Sequence, residues 1–110
     1  MSYYNKKRTP RNEFRYNYKY KHPQYVFEEE GKKYHSLGIT HHPYTDGRRN
    51  MPLDCNPRKN HFEKSYIRYG VITDLKDRYS GIDTRYKFSS SDFPKVKSKI
   101  RSYKSRRRYR

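Results

Sequence analysis

The chain has 110 residues, one domain's worth, and only 30% of them are hydrophobic, with 14 tyrosines in that fraction, so any core is thin and rich in hydroxyls. Twenty-eight Lys and Arg against eleven Asp and Glu give a formal charge of +17, which favours a polyanionic partner, nucleic acid first. No apolar run, secretory h-region or lipidation signal points to a membrane, so the cytoplasm is the expected compartment, and the single cysteine, Cys55, excludes an internal disulfide.

Most of the excess charge lies at the two ends. Residues 1–22 carry +6, residues 95–110 carry +9, and the stretch between them only +2. The expected organisation is a basic, Tyr-rich N-terminal arm or edge strand over 1–21, a single domain over 22–103 and an Arg-rich tail over 104–110. In the arm, "FRYNYKYK" alternates Phe14, Tyr16, Tyr18 and Tyr20 with Arg15, Asn17, Lys19 and Lys21. An extended chain would show rings on one face and cations on the other. Stacking on unpaired bases with cations along the phosphates is one reading, for which Arg15, Tyr16, Tyr18, Lys19, Tyr20 and Lys21 are the contacts. A plain edge strand whose tyrosines cover the core is the other.

After the His22-Pro23 break, "QYVFEEEGKKYHSLGIT" predicts a hairpin turning at Gly31, with Tyr25 to Phe27 in one arm and Tyr34 to Thr40 in the other. Period two puts His35, Leu37, Ile39 and His41 on one face, and Thr40 and His42 on the other. With Leu37 and Ile39 facing the core, Thr40 and His42 project outward at the strand end. Residues 42–61 read as a long loop with turn chemistry at Pro43, Asp46-Gly47, Pro52 and Asn56-Pro57. Its Arg48 and Arg49 are candidate phosphate contacts. In the next strand, "SYIRYGVIT", Ile67, Tyr69 and Val71 are expected to face inward, and Tyr66 and Arg68 to share the outer face with Thr40 and His42. Residues 74–88 suggest a turn at Ser80-Gly81 and a short edge strand around Thr84 to Phe88.

The last element is a helix. Ser90 or Ser91 is the expected N-cap, Asp92 sits at the positive end of the dipole and Pro94 in the first turn. Phe93, Val96, Ile100 and Tyr103 form an apolar stripe, leaving Lys95, Lys97, Lys99, Arg101 and Lys104 on the remaining surface. Lys95, Lys99, Arg101 and Lys104, with Arg106, Arg107, Arg108 and Arg110 of the tail, extend the candidate nucleic-acid surface. The fold class is therefore α+β: a small antiparallel sheet with one packed, basic, amphipathic C-terminal helix and two basic arms.

Cleaving RNA without a metal needs a base for the 2′-OH, an acid for the leaving 5′-oxygen and a cation for the phosphoryl oxygens. His41 or His42 could titrate in the required range, Arg68 could clamp the phosphate, and Thr40 and Tyr66 could donate hydrogen bonds. The competing reading of the same residues is a polar sheet face without catalysis, and His35 reads as a core or sheet-edge histidine. His35, His41, His42, Cys55 and His61 lack the paired spacing of a structural zinc site, no helix follows Asn60-His61 to complete a His-Asn-His nuclease, and no Gly-rich phosphate loop is present, so no metal or cofactor is expected. Asp54 beside Cys55 opposes a thiolate nucleophile.

The run "HPQYVFEEEGKKYHSLGITHHP", followed by "LDCNP", "SYIR" and the Ser/Asp-capped basic segment, resembles small proteins of bacterial mobile elements. These in turn distantly resemble the sheet-plus-helix ribonuclease toxins grouped around barnase, EndoU and RelE. The resemblance spans residues 22–100 and implies a metal-independent endoribonuclease of toxin or effector type, with functional residues on a concave sheet face. It carries the site onto Thr40, His41, Tyr66 and Arg68, whereas strand geometry favours His42. The order departs from the RelE pattern, in which helices precede the sheet, and no carboxylate base of the barnase kind is evident unless one of Glu28 to Glu30 serves. The implied partners are RNA (tRNA, mRNA or the ribosome) and an acidic antitoxin or immunity protein. The alternative is a non-catalytic RNA-binding or ribosome-associated protein.

Overall fold

The computed structural model describes residues 7–107. Three long strands, β1 (Arg8–Asn17), β2 (His22–Glu30) and β3 (Lys33–Thr40), precede three two-residue strands, β4 (Tyr44–Thr45), β5 (Arg48–Arg49) and β6 (Met51–Pro52). They are followed by β7 (Tyr66–Leu75) and helix α1 (Asp92–Arg107). The main sheet is antiparallel with order β1-β2-β3-β7-β6, and β4 with β5 makes a separate small hairpin. The protein is thus α+β, a five-stranded antiparallel sheet with one C-terminal helix. Among the described residues, no helix is long and apolar enough to cross a membrane.

The β2–β3 hairpin turns through Gly31, whose φ of 60° is the left-handed conformation that glycine adopts without a steric cost. Leu37 and Ile39 face α1 and are buried with Phe14, Tyr25, Phe27, Leu53, Ile67, Phe88 and Val96. Phe93, Ile100 and Tyr103 pack at the edge of that cluster, so the predicted helical stripe is the buried face of α1. Burying these side chains is the main stabilising term, at about 1.5–3 kcal/mol for each large apolar group.

A β-bulge interrupts the β2–β3 register between Val26 and Glu28. It turns two successive residues, Phe27 and Glu28, toward the helix. Phe27 joins the core, and the buried Glu28 carboxylate accepts two hydrogen bonds from the Arg107 guanidinium, at 2.8 and 3.1 Å. Lys104 lies 3.4 Å from the same carboxylate. Although burial opposes its ionisation, these cations hold Glu28 below the usual carboxylate range. His35, next to it, is buried and bonded to Thr73 Oγ1 at 2.7 Å and Glu30 Oε1 at 2.8 Å.

The opposite sheet face is polar. Val26, Tyr34 and Tyr79 form a small second cluster there, and Asn17, Gln24, Ser36 and Asp74 are buried around it. The segment after β7, which includes a 3-10 turn at Lys76–Arg78, folds back over this face. Ser80 N–H donates to the Tyr16 carbonyl, Tyr18 N–H to the Arg78 carbonyl, and the Tyr79 and Ser36 hydroxyls are 2.8 Å apart. That cover reaches the sheet around Ser36. Beyond it, at the end of β3, the face stays open.

Several expectations are corrected. Only Phe14 to Asn17 of the alternating run lie in β1; Tyr18 to Lys21 form a turn, because the Asn17 side-chain oxygen accepts from Lys19 N–H and Tyr20 N–H, both at 2.9 Å. His22-Pro23 is no break but the start of β2. The 42–61 loop contains the β4–β5 hairpin and β6. No strand forms over 84–88, where Tyr86 makes only an isolated bridge to Arg58. Tyr69 does not enter the core: the register shift opposite Gly38 leaves its ring beneath the Arg48 and Arg68 guanidiniums, 5.1 and 4.8 Å from the centroid. The hydrogen-bonded cap of α1 is Ser89, whose Oγ accepts from Asp92 N–H at 3.1 Å, in place of Ser90 or Ser91. The helix runs to Arg107, so the segment read as a tail from 104 is helical for its first turn. Arg108 and Arg110 lie outside the described residues.

Candidate active site

At the open end of the polar face, β2, β3 and β7 meet the β1–β2 turn and the β4–β5 hairpin around a pocket of about 210 Å³. Its lining includes His22 and Gln24 from β2, Gly38 and Thr40 from β3, Arg68 from β7, and His42 just past β3. Tyr20, Tyr44 and Thr45 also contribute. Three of the five residues predicted for catalysis, Thr40, His42 and Arg68, are thus brought together.

The other two are not part of the lining. His41 turns away after the strand end, and its Nδ1–H donates to the Lys64 carbonyl at 3.1 Å. Tyr66 pairs directly across from Thr40, and its ring lies 6.0 Å below the Lys64 ammonium. The strand's period of two is therefore kept through His42.

His42 is held in place from two sides. Its backbone N–H donates to Thr40 Oγ1 at 3.2 Å, and its carbonyl accepts from Asn50 Nδ2 at 2.9 Å. Asn50 is buried, also donates to Thr45 Oγ1 at 2.8 Å and accepts from Tyr69 N–H at 3.0 Å. One amide therefore ties β3's end, the small hairpin and β7 together. Asn50→Ala leaves the Tyr69 N–H and the His42 carbonyl without partners, and we expect it to cost about 2–4 kcal/mol in a urea titration. Any activity dependent on the placement of His42 should fall about 10–100-fold with it.

The floor of the pocket is Gln24 beneath the bare backbone of Gly38. A Cβ at position 38 would come within 3.3 Å of Gln24 Nε2 and 3.6 Å of Arg68 Cβ, so glycine keeps the floor open. Gln24 is fully buried; its Oε1 accepts from Ser36 Oγ at 3.1 Å, while Nε2 has no hydrogen-bond partner among the described residues. A buried amide donor without a partner costs about 1–3 kcal/mol, and its place in a pocket lining points to a ligand acceptor. Arg68 keeps a side chain 26% exposed, its nearest carboxylate oxygen being that of Asp46 at 3.8 Å. His22 stands at the exposed rim of the pocket; partial desolvation there holds its imidazole below its usual value of 6.5, and the charges of His42, Arg68 and His41 act in the same direction. His22 is therefore neutral near pH 7, the form that accepts a proton.

Residues missed by reading the sequence include His22, Gln24, Tyr44 and Asn50. Counting back by two from Val26 along β2 reaches Gln24 and His22, so a signal existed for both. Asn50 had none, because its partners, His42, Thr45 and Tyr69, stand at no regular spacing from it along the chain.

The cations predicted to meet nucleic acid divide into two groups. Arg15 pairs with Glu13 and donates to the Ser80 carbonyl, Lys95 pairs with Asp54 and Asp92, and Lys104 and Arg107 pair with Glu28. Lys99 donates to the Tyr69 carbonyl at 2.9 Å and is depressed below the ordinary ammonium value by burial. These hold the fold together. Lys19, Lys21, Arg48, Arg49 and Arg101 are exposed, as is Arg106, which donates to Ser102 Oγ within α1. Tyr16, Tyr18 and Tyr20 are 37%, 57% and 40% exposed, which leaves ring faces accessible.

Among the described residues, only Glu28, Glu30 and His35 are grouped closely enough to offer three ligands to a metal ion. Arg107 and Lys104 already balance the Glu28 charge, and a divalent ion would have to displace them. No family model, curated protein or solved structure matches the chain.

Proposed function

We propose that the protein binds RNA and cleaves it as a metal-independent endoribonuclease, with the phosphodiester in the His22–His42 pocket. The observation that carries this reading is the lining itself: two imidazoles, a guanidinium and an unpartnered buried amide donor around one opening. Among the described residues no carboxylate belongs to that lining, and Arg68 disfavours a divalent cation there. The donor set suits an anion whose proton transfers are handled by side chains. The +17 charge supplies long-range attraction for such a substrate.

In this mechanism neutral His22 removes the 2′-OH proton as the 2′-oxygen attacks phosphorus. His42, protonated, gives its proton to the departing 5′-oxygen as the P–O5′ bond breaks, leaving a 2′,3′-cyclic phosphate and a 5′-hydroxyl. Arg68, Gln24 Nε2 and the Thr40 hydroxyl face the non-bridging oxygens, where negative charge builds up. The further placing of the protein among toxins or effectors rests on the sequence resemblance.

Incubation with total RNA in EDTA tests the reading, and fragments ending in 2′,3′-cyclic phosphate are expected. The pH profile adds a second check. A general base works only when unprotonated, so the rising limb of kcat/KM reports the His22 value in the free protein and should lie below 6.5. Arg68→Ala removes a positive charge that disfavours imidazolium, so besides slowing the reaction it should move that limb upward, toward 6.5. A parental limb at or above 6.5 contradicts the assignment of His22 as the base.

A further inference from the structure

The pocket of about 210 Å³ is smaller than sites that engulf a whole small molecule, which begin near about 300 Å³. A phosphodiester and part of its ribose fit; the attached bases must lie outside. Two exposed rings belong to the same lining, Tyr20, 40% exposed, and Tyr44, 57% exposed. They reach it from opposite flanks of the sheet. Tyr20 comes from the β1–β2 turn at the outer edge, and Tyr44 from the β4–β5 hairpin, which lies against β7 through Asn50 and Arg48. Each flank also carries exposed cations, Lys19 and Lys21 on the turn, Arg48 and Arg49 on the hairpin.

We infer that the substrate is single-stranded RNA crossing the sheet end from the β1–β2 turn to the β4–β5 hairpin, with the bases on either side of the bound phosphodiester stacked on Tyr20 and Tyr44. The inference rests on the reading of the pocket as an RNA phosphodiester site and adds its specificity. Bases in a duplex are already paired and stacked on their neighbours, so they cannot turn a face to either ring, whereas those of a single strand can. The cations at the two flanks track the neighbouring phosphates and contribute without regard to sequence.

The test measures binding of a short 2′-O-methyl RNA, which cannot cyclise, as a single strand and as a duplex with its complement. Tyr20→Ala and Tyr44→Ala should each weaken single-strand binding about 5–100-fold, the range of one lost base–ring stack. Duplex binding and the salt slope should stay as in the parent, since no cation is removed. Tyr20→Phe and Tyr44→Phe keep the ring face and should bind within about threefold of the parent. Both residues are exposed, so these variants fold. Alanine variants that bind the single strand as tightly as the parent overturn the inference, as do variants that lose single strand and duplex equally. Phenylalanine variants as weak as alanine also overturn it, because the hydroxyl and not the ring face would then be responsible. Because the probe is uncleavable, a parent that binds it through these rings yet leaves ordinary RNA intact would sink the endoribonuclease reading while the inference stood.

Discussion

His42→Ala is expected to slow the proposed RNA cleavage by about 10²–10⁴-fold, the contribution of a general acid placed at a leaving group, while His41→Ala should stay within about threefold of the parent. The contrast comes from the end of β3. Thr40 Oγ1 and Asn50 hold the backbone of His42 at the pocket, whereas His41 is turned to the Lys64 carbonyl. RNA affinity and its salt dependence should scarcely change in either variant, since one side chain beside 28 Lys and Arg accounts for little of the counterion release. Steady-state cleavage of a single-stranded oligonucleotide, with binding measured in parallel, separates the two effects. Equal losses from the two substitutions would contradict the geometry described.

The largest stability loss is expected at Asp92. Its carboxylate is fully buried and accepts from Asp54 N–H at 2.7 Å and Cys55 N–H at 3.0 Å, fastening the start of α1 to the loop after β6. Lys95 is 3.4 Å away. Hydrogen bonds to an ionised acceptor are stronger than neutral ones, and Asp92→Ala strands two backbone donors near the core. We expect a cost of about 3–5 kcal/mol, or a Tm lower by about 15 °C or more in a domain of this size. Asp92→Asn keeps one acceptor oxygen and should fall between. An alanine variant melting within about 2 °C of the parent would mean that the loop finds other partners.

The aspartate illustrates what was and was not readable in advance. Its place in the first helical turn followed from local signals, the serines before it and the apolar stripe after it. Its burial did not, because the N–H groups it satisfies lie 38 and 37 residues earlier. The β2–β3 hairpin was legible for the same local reason: Gly31 marks the turn, and the alternation through Leu37 and Ile39 gives the inner face. Where the alternation broke, so did the inference. The bulge at Val26 to Glu28 sends Glu28 to the helix side, where Arg107 and Lys104 pair with it, and no residue type announces such a bulge. The register shift opposite Gly38 likewise moved Tyr69 out of the core.

The site followed this pattern. Thr40, His42 and Arg68 could be placed on one face by taking the neighbour of the inward Ile39 in β3, counting on by two, and taking the neighbour of the inward Ile67 in β7. His22 was obscured because its neighbour Pro23 was read as a break, although a proline near the start of a strand forfeits only one ladder donor. Gln24 looked like an ordinary polar strand residue until its burial and its unpartnered Nε2 were seen.

The most direct test of the proposed RNA-cleaving role of the pocket is single-turnover cleavage of a single-stranded RNA oligonucleotide in EDTA, with the ends of the products identified, for the parent and for His22→Ala/His42→Ala. The account predicts 2′,3′-cyclic phosphate and 5′-hydroxyl ends from the parent, and a double variant that binds the strand about as tightly but cleaves it at least about 10³-fold more slowly. A parent that binds without cleaving, or a double variant that cleaves at the parental rate, would contradict it.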